Sequence, residues 1–203
     1  MRDGVYSNKT LGLSCKIPAA WVLRTEEMNA REQDEPPVDE KSQAASSGDQ
    51  GARQDGRSAL DRTAGGGCPH TSCCGRVLLA AFSRPPEARA EDVNSSIVIA
   101  AESVATYPGL KEAAQYFGPL SEVAKAQGFA EVEDPYEFAI GTRTLARGDF
   151  QKDVGSRVMR QSTLVMLARG WAVSITFIGG TEDEVEELIG GLSFVVAAKP
   201  QAH

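Results

Sequence analysis

Apolar residues fall into two parts of the chain, separated by a long polar segment. They are concentrated in residues 5–23 and 77–196, whereas residues 29–67 contain only Val38 and Leu60 from the set Val, Ile, Leu, Met, Phe, Tyr and Trp. A segment with so little apolar surface cannot offset an ordering entropy of about 1–2 kcal/mol per residue. We therefore predict a single domain over residues 1–203 with a polar, disordered insertion at residues 29–76.

The first apolar part has the alternation of a short strand. Leu13, Cys15 and Ile17 are separated by single polar residues, which places the three on one face of an extended segment. A polar turn precedes this strand. Pro18 ends the strand, and Trp21 follows as an aromatic anchor. Cys15 is accordingly expected to be a small core residue.

The second apolar part begins with two strands and a helix. Residues 77–83 and 96–104 are apolar runs joined by a charged link that contains Pro85-Pro86, which predicts adjacent antiparallel strands. From residue 110 to 127 the apolar positions recur every three or four residues, which indicates an amphipathic helix. Gly118-Pro119 is expected to kink or split that helix.

Strands dominate the remainder of the chain. They are predicted at residues 130–133, 136–140, 143–150, 157–168 and 171–178, with a polar loop at 151–156. Short links cannot make parallel crossovers, so these strands should form an antiparallel meander. Thr181 and Glu184 have the spacing of a capping box that starts a C-terminal helix. The fold class predicted is α+β, an antiparallel sheet of about six strands flanked by helices.

Several short motifs resemble the PsbP-like family. They are Tyr6-x-Asn8-x-x-x-Gly12-Leu13-Ser14-x-x-Ile17-Pro18-x-x-Trp21, Leu110-Lys111-Glu112-Ala113, Gly170-Trp171 and Glu184-x-x-x-Leu188-Ile189-x-x-Leu192-Ser193-Phe194. The family includes the extrinsic PsbP subunit of photosystem II and the Mog-type factor that binds the GTPase Ran. The resemblance covers residues 5–24 and 77–196, and it implies an α/β/α sandwich used as a non-catalytic binding or assembly module. It carries over no functional residue, because the matching positions are core and turn residues.

The charge of the chain limits the classes of partner. A net charge of -7 disfavours nucleic acid, since phosphate contacts need clustered Lys and Arg, and it favours a basic protein partner. The sequence has no apolar run of about 20 residues that would span a membrane. The N-terminal residues lack the apolar region of a signal peptide, which predicts a cytoplasmic protein as written and an exported one if a leader has been removed.

A cluster of possible metal ligands lies at the end of the insertion. Cys68, His70, Cys73 and Cys74 are the donor set of a Cys₃His zinc site, and Cys68 with Cys73 could close a small disulfide loop. Adjacent Cys73 and Cys74 do not easily face one tetrahedral ion, and no Cys-x-x-Cys pair is present. A loop with incidental cysteines is therefore an alternative to a zinc or thiol-redox site.

No set of residues has the pattern of a catalytic site. His70 and His203 are the two histidines, and neither lies on a predicted element that would hold a base in place. We therefore predict a protein that is not an enzyme and that contacts a protein partner, with the insertion as an accessory contact. The alternative is the metal-binding or thiol-redox module.

Charged residues on the predicted meander offer a possible anion site. They are Arg143, Arg147, Asp149, Arg157 and Arg160, of which the first three share one face by parity. They could line a polar face that binds an anionic group. The interpretation that we favour is a solvated sheet edge with surface ion pairs, each worth about 0–1 kcal/mol.

Overall fold

The computed structural model describes residues 3–34, 75–88 and 92–195. Within these ranges the strands are β1 (Val5–Asn8), β2 (Leu13–Lys16), β3 (Val22–Leu23), β4 (Arg76–Phe82), β5 (Ser96–Ser103), β6 (Ala130–Glu131), β7 (Tyr136–Ile140), β8 (Arg143–Val154), β9 (Arg157–Ala168), β10 (Trp171–Gly179) and β11 (Leu192–Phe194). The α-helices are α1 (Thr25–Asp34), α2 (Phe117–Ala126) and α3 (Glu182–Gly190), with 3-10 helices at Val104–Thr106 and Ala113–Tyr116. Of the predicted insertion, residues 35–74 lie outside the described ranges.

The main sheet is antiparallel throughout its eight described strands. Its order is β3-β4-β5-β10-β9-β8, and both β6 and β7 pair with β8 at different points along its length. The predicted β4–β5 pair and the meander from β7 to β10 are confirmed. The expected count of about six strands is too low. The short strands β3 and β6 have two residues each, too few to show any periodicity in the sequence.

A second sheet of three described strands packs on one face of the main sheet. Its order is β1-β2-β11, so the two ends of the described chain meet on β2. The polar turn expected before β2 is confirmed at residues 9–12, but the residues before it form the unpredicted strand β1, in which Tyr6 pairs with Cys15 and which makes a hairpin with β2. Exposed polar residues such as Ser7 obscured this strand in the sequence.

Apolar side chains cover both faces of the main sheet. On one face, Ile175 and Phe177 pack with residues of the second sheet and α3, and Cys15 is fully buried among them. On the other face, Phe117 and Val165 belong to a separate cluster beneath α2. The structure is therefore an α+β fold. The prediction of Cys15 as a core residue is confirmed, and burial raises the pKa of its thiol to about 12.

The tryptophans and the C-terminal helix agree with the sequence pattern in most respects. Trp21 and Trp171 both pack against the cluster beneath the second sheet, as core anchors do. Thr181 Oγ1 accepts the Glu184 N–H at 3.2 Å, which confirms the N-cap. Glu184 does not complete the capping box, because its carboxylate accepts the Gly180 N–H at 2.8 Å and the Ser95 hydroxyl instead.

Two sequence predictions are wrong in detail. Of the loop expected at 151–156, residues 151–154 belong to β8, and only residues 155–156 form a tight turn, in which Gly155 has a φ of 62°. The expected helix break at Gly118-Pro119 lies earlier, where the 3-10 helix ends and α2 begins. Pro119 then stands in the first turn of α2, where its missing N–H would have had no intrahelical partner.

Helix α1 closes the edge of the main sheet where β3 ends. The Asn29 side chain donates to the Val77 carbonyl and accepts from the Val77 N–H, both at 2.9 Å. One turn earlier, Thr25 Oγ1 accepts the Ala80 N–H at 3.0 Å. Side chains of the helix thus replace a neighbouring strand and satisfy backbone groups of β4 that would otherwise be open for pairing.

Candidate functional site

A cleft of about 570 Å³ lies between the β1–β2 hairpin and the nearby ends of β8 and β9. We call it the hairpin cleft. Its lining consists of Ser7, Asn8, Lys9, Thr10, Leu11, Gly12, Leu13, Ser14, Arg143, Leu167, Ala168, Arg169 and Val195. Most of the lining surface is apolar. The volume falls in the range of about 300–1,000 Å³ that is usual for ligand sites.

Local hydrogen bonds hold the hairpin that forms one wall. Asn8 Oδ1 accepts the Leu11 N–H at 3.1 Å, which tightens the turn. Gly12 has a φ of 65°, and its carbonyl accepts the Val195 N–H at 2.8 Å. These contacts leave Lys9 exposed at the turn while Leu11 and Leu13 are buried.

The opposite wall includes the tight turn between β9 and β10. Arg169 and Gly170 have φ values of 54° and 81°, the positive pair that a two-residue hairpin turn of right-handed strands requires. The sequence predicted this turn correctly. It leaves Arg169 exposed, and this residue lines the hairpin cleft with Leu167.

All ionisable side chains that line the hairpin cleft are cationic. They are Lys9, Arg143 and Arg169, and no Asp or Glu is among the lining residues. In the described part of the chain none of the three forms a salt bridge. The cleft is therefore positive although the chain as a whole carries a net charge of -7.

Arg143 is held in the cleft by apolar and sulfur contacts. Its guanidinium carbon lies 5.4 Å from the centroid of the Phe194 ring, a cation–π distance. Its Nη1 lies 3.9 Å from Met166 Sδ, a weak acceptor. The group is thus contacted by an aromatic ring and a thioether, and no carboxylate among the described residues neutralises it.

Arg147 forms a separate, buried ionic cluster under α3. Its Nε donates to the two oxygens of Asp149 at 3.0 and 3.1 Å, and its Nη2 donates to Glu186 Oε1 at 2.5 Å. The guanidinium carbon also lies 4.9 Å from the centroid of the Phe138 ring. Only 7% of Arg147 is exposed and its charge is neutralised by two carboxylates, although it borders a cavity of about 230 Å³.

Asp149 in this cluster accepts further hydrogen bonds from two hydroxyl groups. The Tyr136 hydroxyl donates to Asp149 Oδ2 at 2.9 Å, and the Ser162 hydroxyl contacts Oδ1. Burial, and secondarily the hydrogen bond to the carboxylate, raise the pKa of Tyr136 to about 12. At neutral pH the Tyr136 side chain is therefore protonated, and it acts as a hydrogen-bond donor and not as a reactive phenolate.

The predicted polar face is divided into parts with different roles. Arg143, Arg147 and Asp149 do share one face of β8, as their parity indicated, but Arg147 belongs to a buried cluster and not to a solvated edge. Arg157 fits the favoured interpretation, because it is exposed and pairs with Asp92. Arg160 is half-buried beside a cavity of about 230 Å³ and has no salt bridge among the described residues.

The predicted metal ligands lie outside the described residues. This holds for Cys68, His70, Cys73 and Cys74, so the zinc or thiol-redox site stays a prediction. Within residues 3–34, 75–88 and 92–195, no group of three or more His, Cys, Asp or Glu residues is placed to hold a metal ion. No helix in the described ranges has the length and apolar character needed to cross a membrane.

The sequence interpretation did not single out Lys9, Arg169 or the cleft that they border. Both residues stand in hairpin turns, where an exposed cation is common and carries no signal of its own. A cationic residue at each of two separate predicted turns would have been a weak indication. Their proximity follows from the packing of the second sheet on the main one.

Comparisons with known proteins identify no family. No family model matches the chain, and no curated protein matches it. One solved structure with some similarity is PA94, a protein of unknown function from Pseudomonas aeruginosa, at 15% identity and a TM-score of 0.37, with 59% of this chain and 77% of PA94 covered. Another is LpqN of Mycobacterium tuberculosis, which is involved in cell envelope biogenesis, at 12% identity and a TM-score of 0.32, with 60% of this chain and 79% of LpqN covered. Similarity at this level gives no information about function.

Proposed function

We propose that the chain is a non-catalytic binding module that contacts a protein partner through the hairpin cleft. One observation carries the proposal: three cations, with no Asp or Glu among the described residues of the lining, border an apolar cleft on a chain of net charge -7. The partner segment that suits the cleft combines apolar side chains with negative charge. This differs from the basic partner that the net charge alone favoured, because local charge governs contacts at close range.

The energetics of the cleft support such a segment. Apolar side chains bound there gain about 25 cal/mol for each Å² of apolar surface removed from water. Anionic groups gain from cations that have no competing carboxylate, and a fixed guanidinium loses little conformational entropy when it binds them. A neutral or basic segment bound in the cleft would cover Arg143 and leave its charge without a counter-charge.

The chemistry of the lining favours binding over catalysis. Arginine does not act as a proton donor or acceptor near neutral pH, and Lys9 is exposed at a turn tip. The Cys15 thiol is fully buried in the core, and its pKa of about 12 keeps it protonated. These features support a role in recognition.

We further propose that the fold is the α/β/α sandwich of PsbP-like proteins. Support comes from the helices on the two faces of the antiparallel sheet, α2 on one and α3 on the other. The second sheet shares its face with α3. The metal-binding alternative is supported by nothing in the described residues, and metal analysis with thiol titration of the purified chain tests it.

Peptide selection tests the binding proposal. A library of random hexapeptides is selected on the immobilised full chain, and we expect enrichment of sequences that contain both acidic and branched apolar residues. The Lys9→Ala/Arg143→Ala/Arg169→Ala variant should lose this enrichment. The matched control is Arg157→Ala, which removes an exposed arginine away from the cleft and should retain it. Equal enrichment on the triple variant and on the control would overturn the proposal.

A further inference from the structure

We infer that the anionic group bound in the hairpin cleft is the free C-terminal carboxylate of a protein partner, and that Arg143 binds it directly. The apolar side chains of the partner's last residues occupy the cleft beside it. This inference rests on the proposed function and specifies which part of a partner the same site takes.

The surroundings of Arg143 leave its hydrogen-bond donors available. The Phe194 ring, whose centroid lies 5.4 Å from the guanidinium carbon, is no conventional hydrogen-bond acceptor and leaves the five N–H groups of Arg143 without a strong partner. Met166 Sδ, at 3.9 Å from Nη1, is a weak acceptor that satisfies at most one of them. A planar fork of donors in a fixed orientation matches the two oxygens of a carboxylate, with which arginine forms paired hydrogen bonds.

The combination of this fork with an apolar lining points to a chain terminus. In a C-terminal residue the carboxylate and the side chain are attached to the same Cα, so charge and apolar surface enter a site together. Leu11, Leu167 and Val195 line the cleft that contains Arg143, which is the arrangement such a residue requires. An Asp or Glu within a chain separates its carboxylate from the backbone, and its chain must also leave the cleft in two directions.

A terminal carboxylate is also suitable in its charge and size. Its ordinary pKa is about 3.3–3.7, so it is ionised at neutral pH. A chain end needs only one exit from a cleft of about 570 Å³ and can insert a few residues. A phosphate would satisfy the cations, but it would leave the apolar lining without a partner. Carboxylate capture of this kind is a recurring mode of peptide recognition.

Lys9 and Arg169 have a different role from Arg143. Both are exposed at turn tips, and ion pairs of exposed side chains contribute little. They attract acidic residues that precede the partner's terminus, through an interaction that salt screens. Loss of Arg143 should therefore weaken binding at all salt concentrations, whereas loss of Lys9 should matter chiefly at low salt.

Paired peptides with free and blocked termini test the inference. Hexapeptides that end in Leu-Leu, with random residues before it and a fluorescein label at the N-terminus, are prepared as free acids and as C-terminal amides, and binding to the full chain is measured by fluorescence polarisation. We expect the free acids to bind about 10–100-fold more tightly, because a hydrogen bond to a charged group is worth about 1.5–3 kcal/mol. Arg143→Gln should remove this difference, Arg143→Lys should retain part of it, and Arg157→Ala should leave it unchanged.

The outcomes separate this inference from the proposed function. If amides bind as tightly as free acids and Arg143→Gln weakens both, the cleft binds acidic apolar segments and the terminal carboxylate is refuted. If no peptide of either form binds, both proposals fail. If free acids are preferred equally by the parent chain and by Arg143→Gln, the assignment of Arg143 is wrong. Equal thermal unfolding midpoints of the parent and the Arg143→Gln variant exclude misfolding as the cause of any loss.

Discussion

Replacement of Arg147 by methionine should strongly destabilise the fold, because it breaks a buried ionic cluster on one side only. Arg147 is 7% exposed and donates to Asp149 and Glu186. After Arg147→Met the Asp149 side chain, which is 19% exposed, would keep only the hydroxyl donors of Tyr136 and Ser162. An ionised carboxylate would then stand beneath α3 without a cation.

The expected loss in the free energy of unfolding is about 3 kcal/mol. Removing one partner of a buried ion pair costs about 3–5 kcal/mol. The lower end applies here because the Glu186 side chain is 45% exposed and can return to water, and because methionine fills most of the vacated volume. The second substitution Asp149→Leu, combined with Arg147→Met, should recover much of the loss, since it removes the unpaired carboxylate.

Urea denaturation, followed by tryptophan fluorescence, measures this effect. Trp21 and Trp171 pack against the core and should report unfolding. The matched control is Arg157→Met, where an exposed arginine pairs with Asp92 and the expected loss is about 0–1 kcal/mol. A loss for Arg147→Met as small as that of the control would refute the assignment of Arg147 to a buried ionic cluster.

Three further predictions concern other contacts. Asn29→Ala should lower the free energy of unfolding in urea by about 2 kcal/mol, because both backbone groups of Val77 lose their partner, and a loss under about 0.5 kcal/mol would contradict this role. Gly148→Ala should lower the free energy of unfolding, measured by thermal denaturation, by about 1–3 kcal/mol, because a Cβ at this position overlaps the Phe117 ring. An unchanged free energy of unfolding would show that the ring can move away. The pKa of Tyr136 is raised from 10 to about 12, so its protonated form stabilises the fold below pH 10 and this contribution is lost as the pH rises towards 12. The fall in stability between these pH values should be smaller in Tyr136→Phe, and an unchanged fall would exclude this phenol as its source.

Local patterns in the amino-acid sequence were sufficient for most strands and for the C-terminal helix. The bounds of β7 and β9 match the predicted ones, because runs between turn-forming residues are defined by their neighbours along the chain. Thr181 was identifiable as a helix N-cap because that hydrogen bond joins residues three positions apart. The alternation of Leu13 and Cys15 likewise predicted which side of β2 is buried.

Elements whose stability comes from distant partners were harder to predict. Strand β1 has only four residues, two of them polar, and is a strand because β2 pairs with it. Residues 151–153 are polar because they belong to the exposed end of β8, opposite β9. The polar composition of a segment indicates that it is exposed. It does not distinguish the exposed end of a strand from a loop unless the partner strand is known.

The hairpin cleft and the contact of Glu186 with the buried ionic cluster depend on tertiary packing. Arg143 and Arg147 are four residues apart on one strand face, and Arg147 has Asp149 as a local partner two positions later. Helix α3 brings Glu186 over Arg147, whereas Arg143 meets Phe194 and no carboxylate among the described residues. The local acid could be read from the sequence, but the charges that other segments bring close could not, because the Coulomb interaction depends on separation in space and not on distance along the chain.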